Sequence, residues 1–325
     1  MNNSFFTENQ IEYIESQFGK ISSVKPLQEE ASTRRYFRIQ STKGEYVICL
    51  DDSVNLDFIS LSKFLEDSQV HVPHVYSSNI GLGITTMSFD GDKDFGSLSL
   101  AEYKTKLPVL VDLLLKLQNL DPPELVLNRR FDTEKLSFEI NLTKEKYDLF
   151  RFKYKIETEL TQEMNAFLDE TVSYLGQYPV QVFTHRDFHC RNILLHPTHE
   201  YCLIDFQDAR LGIPQYDLAS ILYDAYYPLP RETRKEVLNY FKSKNRDVSK
   251  SFTEAFYLQA LQRSFKALGT YFRMVVDHQK MKFKPSILSC LNQLEEIIQL
   301  GMFADSLFIF VRSLRNELEF HSEFK

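Results

Sequence analysis

The chain has no long basic run, no CxxC pair, no uninterrupted apolar stretch of membrane-spanning length, and no obvious internal repeat or low-complexity tract. Each absence removes a class of protein. Lys and Arg number 38 against 45 Asp and Glu, for a formal net charge of −7. A nucleic-acid partner, which needs a clustered positive surface, is therefore not expected. The four cysteines, Cys49, Cys190, Cys202 and Cys290, are scattered, so neither a disulfide framework nor a zinc site is indicated. No apolar run approaches the roughly 20 residues of a membrane span. The opening MNNSFFTENQIEYIESQFGK lacks a basic n-region and an apolar h-region, so it is not read as a signal peptide, and a cytoplasmic location is expected. What remains is ordinary globular protein: 325 residues, 43% hydrophobic and 26% charged, enough for one large or two ordinary domains.

The chemistry concentrates in residues 183–208, FTHRDFHCRNILLHPTHEYCLIDFQD. His185-Arg186-Asp187 is followed by Asn192 five residues after the aspartate, and by Asp205-Phe206 thirteen residues after that. The stretch reads as a loop, a strand (ILLHP), a turn (THE) and a second strand (YCLI) that ends on an acid. Such a hairpin would bring Asp187, Asn192 and Asp205 to one end of a small sheet. Two carboxylates and an amide oxygen make a hard-oxygen set suited to Mg²⁺ carrying a nucleoside triphosphate. The plain alternative is a polar hairpin whose His and Asp residues cap turns. The four fixed positions of HRDxxxxN arise by chance in roughly one sequence of this size in several hundred, and a suitably placed Asp-Phe lowers that to the order of 10⁻⁴. The catalytic reading is preferred on that ground.

HRDxxxxN followed by Asp-Phe resembles the signature set of protein kinases. The resemblance implies that Asp187 accepts the proton of an attacking hydroxyl while Asn192 and Asp205 hold the metal. The departures point further. Gln207 stands where the DFG glycine would be, and no Ala-Pro-Glu follows. With Asp187, His189 and Asn192 in D-x-H-x-x-N spacing, the chain resembles the aminoglycoside phosphotransferase and choline kinase superfamily, whose substrates are small molecules. HRDFHCRN, IDFQDARLG, YDLAS, ASTRRYFR and QRSFKALGTYFR carry a closer resemblance to bacterial anomeric sugar kinases that phosphorylate N-acetylmuramate and N-acetylglucosamine in cell-wall recycling. It extends from about Leu27 to Phe283, with only the central block specific. It implies a two-lobed, kinase-like α+β fold. A small lobe with an antiparallel sheet would occupy residues 1–90 and bind nucleotide, a helical lobe residues 91–325, with ATP between them.

The family pattern assigns further residues. ASTRR, residues 31–35, corresponds to the loop covering the ATP phosphates. It has no glycine, but the Ser32 and Thr33 hydroxyls, backbone N–H groups and Arg34 or Arg35 could contact phosphate; an ordinary polar turn is the alternative. The backbone around Met87 to Phe89 takes the place of the hinge that contacts adenine. Asp208, Arg210, Glu139 and Arg263 are expected near the acceptor, with a helix-surface salt bridge as the other reading of Arg263. The strand EYVICL has Cys49 and Leu50 where a phosphate-pairing lysine is expected. The anomeric sugar kinases also tend to lack it, yet its absence keeps an inactive pseudokinase open. Asp217 reads as an N-cap or as a brace of the catalytic loop.

Periodicity and caps predict helices at 7–18, 55–68 and 99–120, the last kinked or broken at Pro108. Strand composition falls at 24–27, 35–40, 46–50 and 84–89. A pair of helical segments is expected within 132–178, separated at Thr143, with Tyr147, Phe150, Phe152 and Tyr154 in the core. Further helices are expected at 231–246, 253–272, 285–300 and 302–319. His71 and His74 flank Pro73 and read as loop histidines rather than ligands. The expected reaction is in-line transfer of the γ-phosphoryl group of ATP, with Mg²⁺, to the anomeric hydroxyl of an N-acetylated amino sugar. An aminoglycoside or choline-like acceptor is the alternative.

Overall fold

A computed structural model describes residues 5–27, 34–245, 250–301 and 303–324. Helix α1 (Glu8–Phe18) starts from a capping box in which Thr7 and Gln10 satisfy each other's backbone N–H groups. Then come β1 (Ile21–Pro26), β2 (Arg35–Ser41), β3 (Gly44–Leu50), α2 (Leu56–Asp67), β4 (Val75–Asn79) and β5 (Ile84–Ser88). These five strands form one antiparallel sheet in the order β1-β2-β3-β5-β4. Alternation along the strands sorts its two faces. Phe37, Ile39, Ile48, Leu50 and Ile84 pack with Ile14 and Phe18 of α1. Val47, Cys49 and Met87 face the other way and pack with Phe58 of α2.

Helices α3 (Leu100–Gln118), α4 (Glu124–Leu127), α5 (Thr133–Tyr154) and α6 (Gln162–Gly176) lead to β6 (Val182–Thr184). The short strands β7 (Ile193–Leu194), β8 (Cys202–Leu203) and β9 (Arg210–Gly212) follow, then α7 (Gln215–Leu222), α8 (Arg231–Lys244), α9 (Lys250–Val276), α10 (Lys284–Gly301) and α11 (Asp305–Phe320). The chain divides into two compact units. The first runs to Phe95 and takes in Asn192–Asp208; the second comprises Gly96–Arg191 and Ala209 onward. One antiparallel sheet and a mostly helical remainder make the α+β architecture expected. Among the described residues no helix is long and apolar enough to cross a membrane.

Three local expectations need correction. Pro108 lies inside an unbroken α3, on its exposed side, where the carbonyl left without a donor can reach water. Thr143 does not interrupt the helix, because its hydroxyl bonds back to the Glu139 carbonyl at 3.0 Å within α5. That helix stops at Lys155, which adopts a left-handed φ of 54°. Phe152 is 88% exposed, whereas Tyr147, Phe150 and Tyr154 are buried. The ring of Phe150 packs on Phe272 of α9 at 4.4 Å.

Helices α5 and α9 approach closely at Gly269. A Cβ there would come within 2.3 Å of Thr143 Oγ1 and 2.8 Å of Thr143 Cα. Alanine gains roughly 1 kcal/mol of helix propensity over glycine, but a backbone atom cannot swing aside as a side chain can. Gly269→Ala is therefore expected to destabilise the protein by a net of about 1–2 kcal/mol, within the usual range of overpacking, at about 2–4 °C of melting temperature per kcal/mol. A thermal melt with an unchanged or raised midpoint would contradict this packing.

Candidate active site

Within the first unit, β7 and β8 pair antiparallel, Ile193 with Leu203 and Leu194 with Cys202. The pairing extends one step further, Ile204 N–H donating to the Asn192 carbonyl at 3.0 Å. Asn192 and Asp205 are thereby brought side by side, with Asn192 Nδ2 donating to Asp205 Oδ2 at 3.2 Å. Gln207 Nε2 donates to the other carboxylate oxygen at 2.7 Å. Gln207, in the place of the kinase glycine, thus helps orient the acid. Asp205 has a positive φ of 64°, a conformation that aspartate tolerates better than most residues. Phe206, fully buried, stacks on Phe58 of α2 at 5.0 Å and anchors the strand end. An exposed carboxylate beside an amide is the hard-oxygen chemistry that Mg²⁺ takes, so these residues fit that ion.

The catalytic loop proper lies in the second unit and is set by two acids. Asp217 is not the cap of α7; it sits inside the first turn, fully buried. Its carboxylate accepts the backbone N–H groups of His185 at 2.6 Å and Arg186 at 3.0 Å. Burial pushes this carboxyl up to about 7, against the pull of the two N–H donors and of Arg263. Arg186 has a strained φ of 81°. Asp224 accepts the N–H of Cys190 at 3.0 Å and of Tyr226 at 2.8 Å.

Asp187 is held between these clamps and lines a cavity with His189, Asp224, Tyr226, Arg263 and Lys266. Lys266 Nζ lies 3.6 Å from Asp187 Oδ1, and Arg186 Nε 3.9 Å from Oδ2. Burial works to raise the Asp187 carboxyl, but Lys266, Arg186, His189 and Arg263 outweigh it and hold the group well below the usual carboxylate range. Lys266 is a residue that the motif reading missed. It stands three residues after Arg263 on α9, so the two share a helix face, and that spacing was the available signal.

The other expected site residues are distributed as follows. Ser32 and Thr33 lie outside the described residues. Arg34 Nε donates to Asp51 at 3.0 Å, while exposed Arg35 opens β2. Met87 lies within β5, paired to both β3 and β4, and Phe89 follows the strand with the Arg38 guanidinium 3.9 Å above its ring. Asp208 is exposed in the first unit. In the second, Arg210 sits on β9, 5.0 Å from the Phe131 ring. Glu139 is buried, accepting from Gln262 at 3.3 Å with Lys135 Nζ 3.8 Å away.

A family model described as "Phosphotransferase enzyme family", the aminoglycoside phosphotransferase (APH) model, matches residues 23–250. The chain belongs to this family. It is a phosphotransferase, a kinase with a hydroxyl acceptor. The chain is 28% identical over 284 residues to the N-acetylmuramate/N-acetylglucosamine kinase of Neisseria meningitidis, covering 82% of this chain and 83% of that one. It is 25% identical to the enzyme of the same name from Pseudomonas aeruginosa over 301 residues, 87% and 88% of the two chains. Among solved structures, choline kinase LicA from Streptococcus pneumoniae superposes with a TM-score of 0.61 at 15% identity, over 90% of this chain and 96% of that one. A thermostable mutant of aminoglycoside phosphotransferase APH(4)-Ia gives 0.55 at 15% identity, over 90% and 99%. These likenesses establish the kinase-like fold of this phosphotransferase.

Removing the cation nearest Asp187 tests the electrostatics of the loop. Lys266→Met should raise the Asp187 pKa toward the ordinary range. A base must be ionised to act, so the acid limb of the kcat/KM profile should move to higher pH, with a smaller effect above neutrality. A drop in activity that is equal at every pH would count against a direct Lys266–Asp187 interaction.

Proposed function

We propose that this phosphotransferase transfers the γ-phosphoryl group of ATP to the anomeric hydroxyl of an N-acetylated amino sugar, N-acetylmuramate or N-acetylglucosamine, in cell-wall recycling. The observation that carries the reading is the charge around Asp187. Lys266, Arg263 and Arg186 all bear on it, which disfavours cationic acceptors such as choline or aminoglycosides and suits a neutral or anionic sugar. A carboxylate held so far down is also a weak base. It best serves a hydroxyl more acidic than an ordinary alcohol, and a hemiacetal hydroxyl is one. The names of the Neisseria and Pseudomonas relatives support the same acceptor.

In this reading Asp187 orients the acceptor hydroxyl and takes its proton, held in place by the clamp of Asp217 on the preceding two amides. Arg263 and Lys266 bind the acceptor from one helix face, and Tyr226 offers it a ring. Asn192 and Asp205 hold Mg²⁺, which supplies charge neutralisation on the phosphates. Arg34 stands in for the absent strand lysine: Cys49 occupies that strand position, and Arg34 bears electrostatically on both Cys49 and the neighbouring Tyr36. Phe89 and the backbone beyond β5 contact adenine, and the Ser32, Thr33 and Arg35 loop contacts phosphate. Asp208, Arg210 and Glu139 complete the acceptor side. ATP dependence and four free, buried cysteines fit a cytoplasmic enzyme. The occupation of the lysine position by Cys49 favours one second reading, a nucleotide-binding pseudokinase.

The test is ADP release with Mg-ATP over a panel of amino sugars, aminoglycosides and choline, with Asp187→Asn alongside. Turnover on N-acetylmuramate or N-acetylglucosamine that falls about 10²–10⁴-fold in the variant is expected. Turnover confined to cationic acceptors would overturn the sugar reading, and ATP binding with no turnover on any acceptor would favour the pseudokinase. Arg34→Ala should separately raise the KM for ATP about tenfold or more while sparing the sugar KM, as loss of a charge-assisted phosphate contact would. An unchanged ATP KM would remove Arg34 from that role.

A further inference from the structure

Outside the site just described, the strongest cluster of ligating side chains is His71, Asp90 and Cys202 in the first unit. Three separate segments supply them: the connection after α2, the stretch just past β5, and β8. One donor atom from each lies within 4.8 Å of the other two. His71 Nε2 is buried and has no hydrogen-bond partner among the described residues. Yet it lies 3.2 Å from Asp90 Oδ1. Two donors about 2.0 Å from a tetrahedral Zn²⁺ lie about 3.3 Å apart along the edge of the tetrahedron. An imidazole nitrogen and a carboxylate oxygen at that spacing have the separation of two ligands to one ion.

We propose that His71 Nε2, Asp90 Oδ1 and Cys202 Sγ form a binding site for Zn²⁺ or a zinc-like divalent transition ion. A nitrogen, an oxygen and a sulfur donor select such an ion over Mg²⁺, which takes oxygen. The thiolate and carboxylate balance its two charges where water is scarce. Asp90 is already steadied for the role. Ser88 Oγ donates to its Oδ2. His196 Nδ1 accepts the backbone N–H groups of Thr198 at 3.2 Å and His199 at 2.9 Å, which places the ring proton on Nε2. That N–H faces Asp90 Oδ1 at 3.6 Å, so His196 supports the carboxylate and does not itself bind the ion. His74 is engaged by Glu66 at 2.8 Å and lies outside the set. An open cavity of about 430 Å³, lined by His71, Asp90, Ser88 and His199 among others, gives the ion a route in.

Scattered cysteines and a histidine two residues ahead of Pro73 gave no sign of this site in the sequence, because each segment contributes a single donor. The bound ion would tie β8, two residues ahead of Asp205, to the ends of α2 and β5. This site is independent of the acceptor reading.

The test uses the full chain, stripped with chelator, saturated with Mg²⁺ and titrated with Co²⁺. Expected are one equivalent bound, a thiolate-to-cobalt charge-transfer band with tetrahedral d–d bands, and bleaching of both by Zn²⁺. Cys202→Ser should abolish the charge-transfer band, His196→Ala should weaken binding about 10–100-fold as loss of a supporting group does, and His74→Ala should change nothing. A native titration without the thiolate band overturns the proposal whatever the variants do. So does a band that survives Cys202→Ser or, should that variant not fold, Asp90→Asn.

Discussion

The catalytic loop depends on one buried carboxylate. Asp217 comes from the first turn of α7 and takes the amides of His185 and Arg186, the two residues immediately before Asp187. Arg186 occupies a backbone region that costs a non-glycine residue about 1–3 kcal/mol and persists only where surroundings over-determine it. Two hydrogen bonds to one charged acceptor are of the right size to hold it, at about 1.5–3 kcal/mol each. Asp224 repeats the device at the far end of the loop through Cys190 and Tyr226. The loop around Asp187 is thus held through its backbone by two neighbouring acids, Asp217 and Asp224.

The same economy governs charge. Asp187 is surrounded by more positive charge than one carboxylate can balance, and Lys135, on α5, shows the excess. Burial first, and then the fields of Arg210, Arg186 and Lys266 against the help of Glu139, lower its affinity for a proton. A buried basic cluster of this kind is stable only if something anionic or strongly polar completes it. Glu139 and Asp217 supply some of that balance, both with neighbours that are themselves buried. The remainder of the positive field is what the proposed sugar acceptor, rather than an ammonium ion, would meet in the cavity.

Much of this could be read from the residues in order. The spacing of Asn192 and Asp205 encodes a hairpin, and a hairpin of that length puts its two ends together, so the 3.2 Å contact followed from local pairing alone. Four of the five sheet strands and most helices showed by alternation, periodicity and caps; β4 (Val75–Asn79) did not. Arg263 was visible through its motif. Lys266 was not, although the helical spacing was there, because lysine on a helix is ordinary and only the fold reveals which face turns inward. Thr143 was misread because a β-branched polar residue looks like a break until its hydroxyl is seen to bond within the helix. Asp217 read as a cap or as a brace of the loop, and it is the brace: its partners lie 31 and 32 residues earlier.

The lysine absent from β3 bears on where the proposed donor site takes its charge. A strand lysine delivers a point charge from the sheet; Cys49 in that position is buried and its thiol is pushed up to about 11, so it carries no charge. At this end of the strand the register pairs Tyr36 with Cys49 and Arg35 with Leu50. Arg34, one residue outside that register, reaches Asp51 just beyond the end of β3. A guanidinium tied to a carboxylate keeps its full charge and presents a planar set of donors, which an ammonium cannot. In the proposed reading the phosphate-pairing charge comes from Arg34, just ahead of β2, rather than from β3.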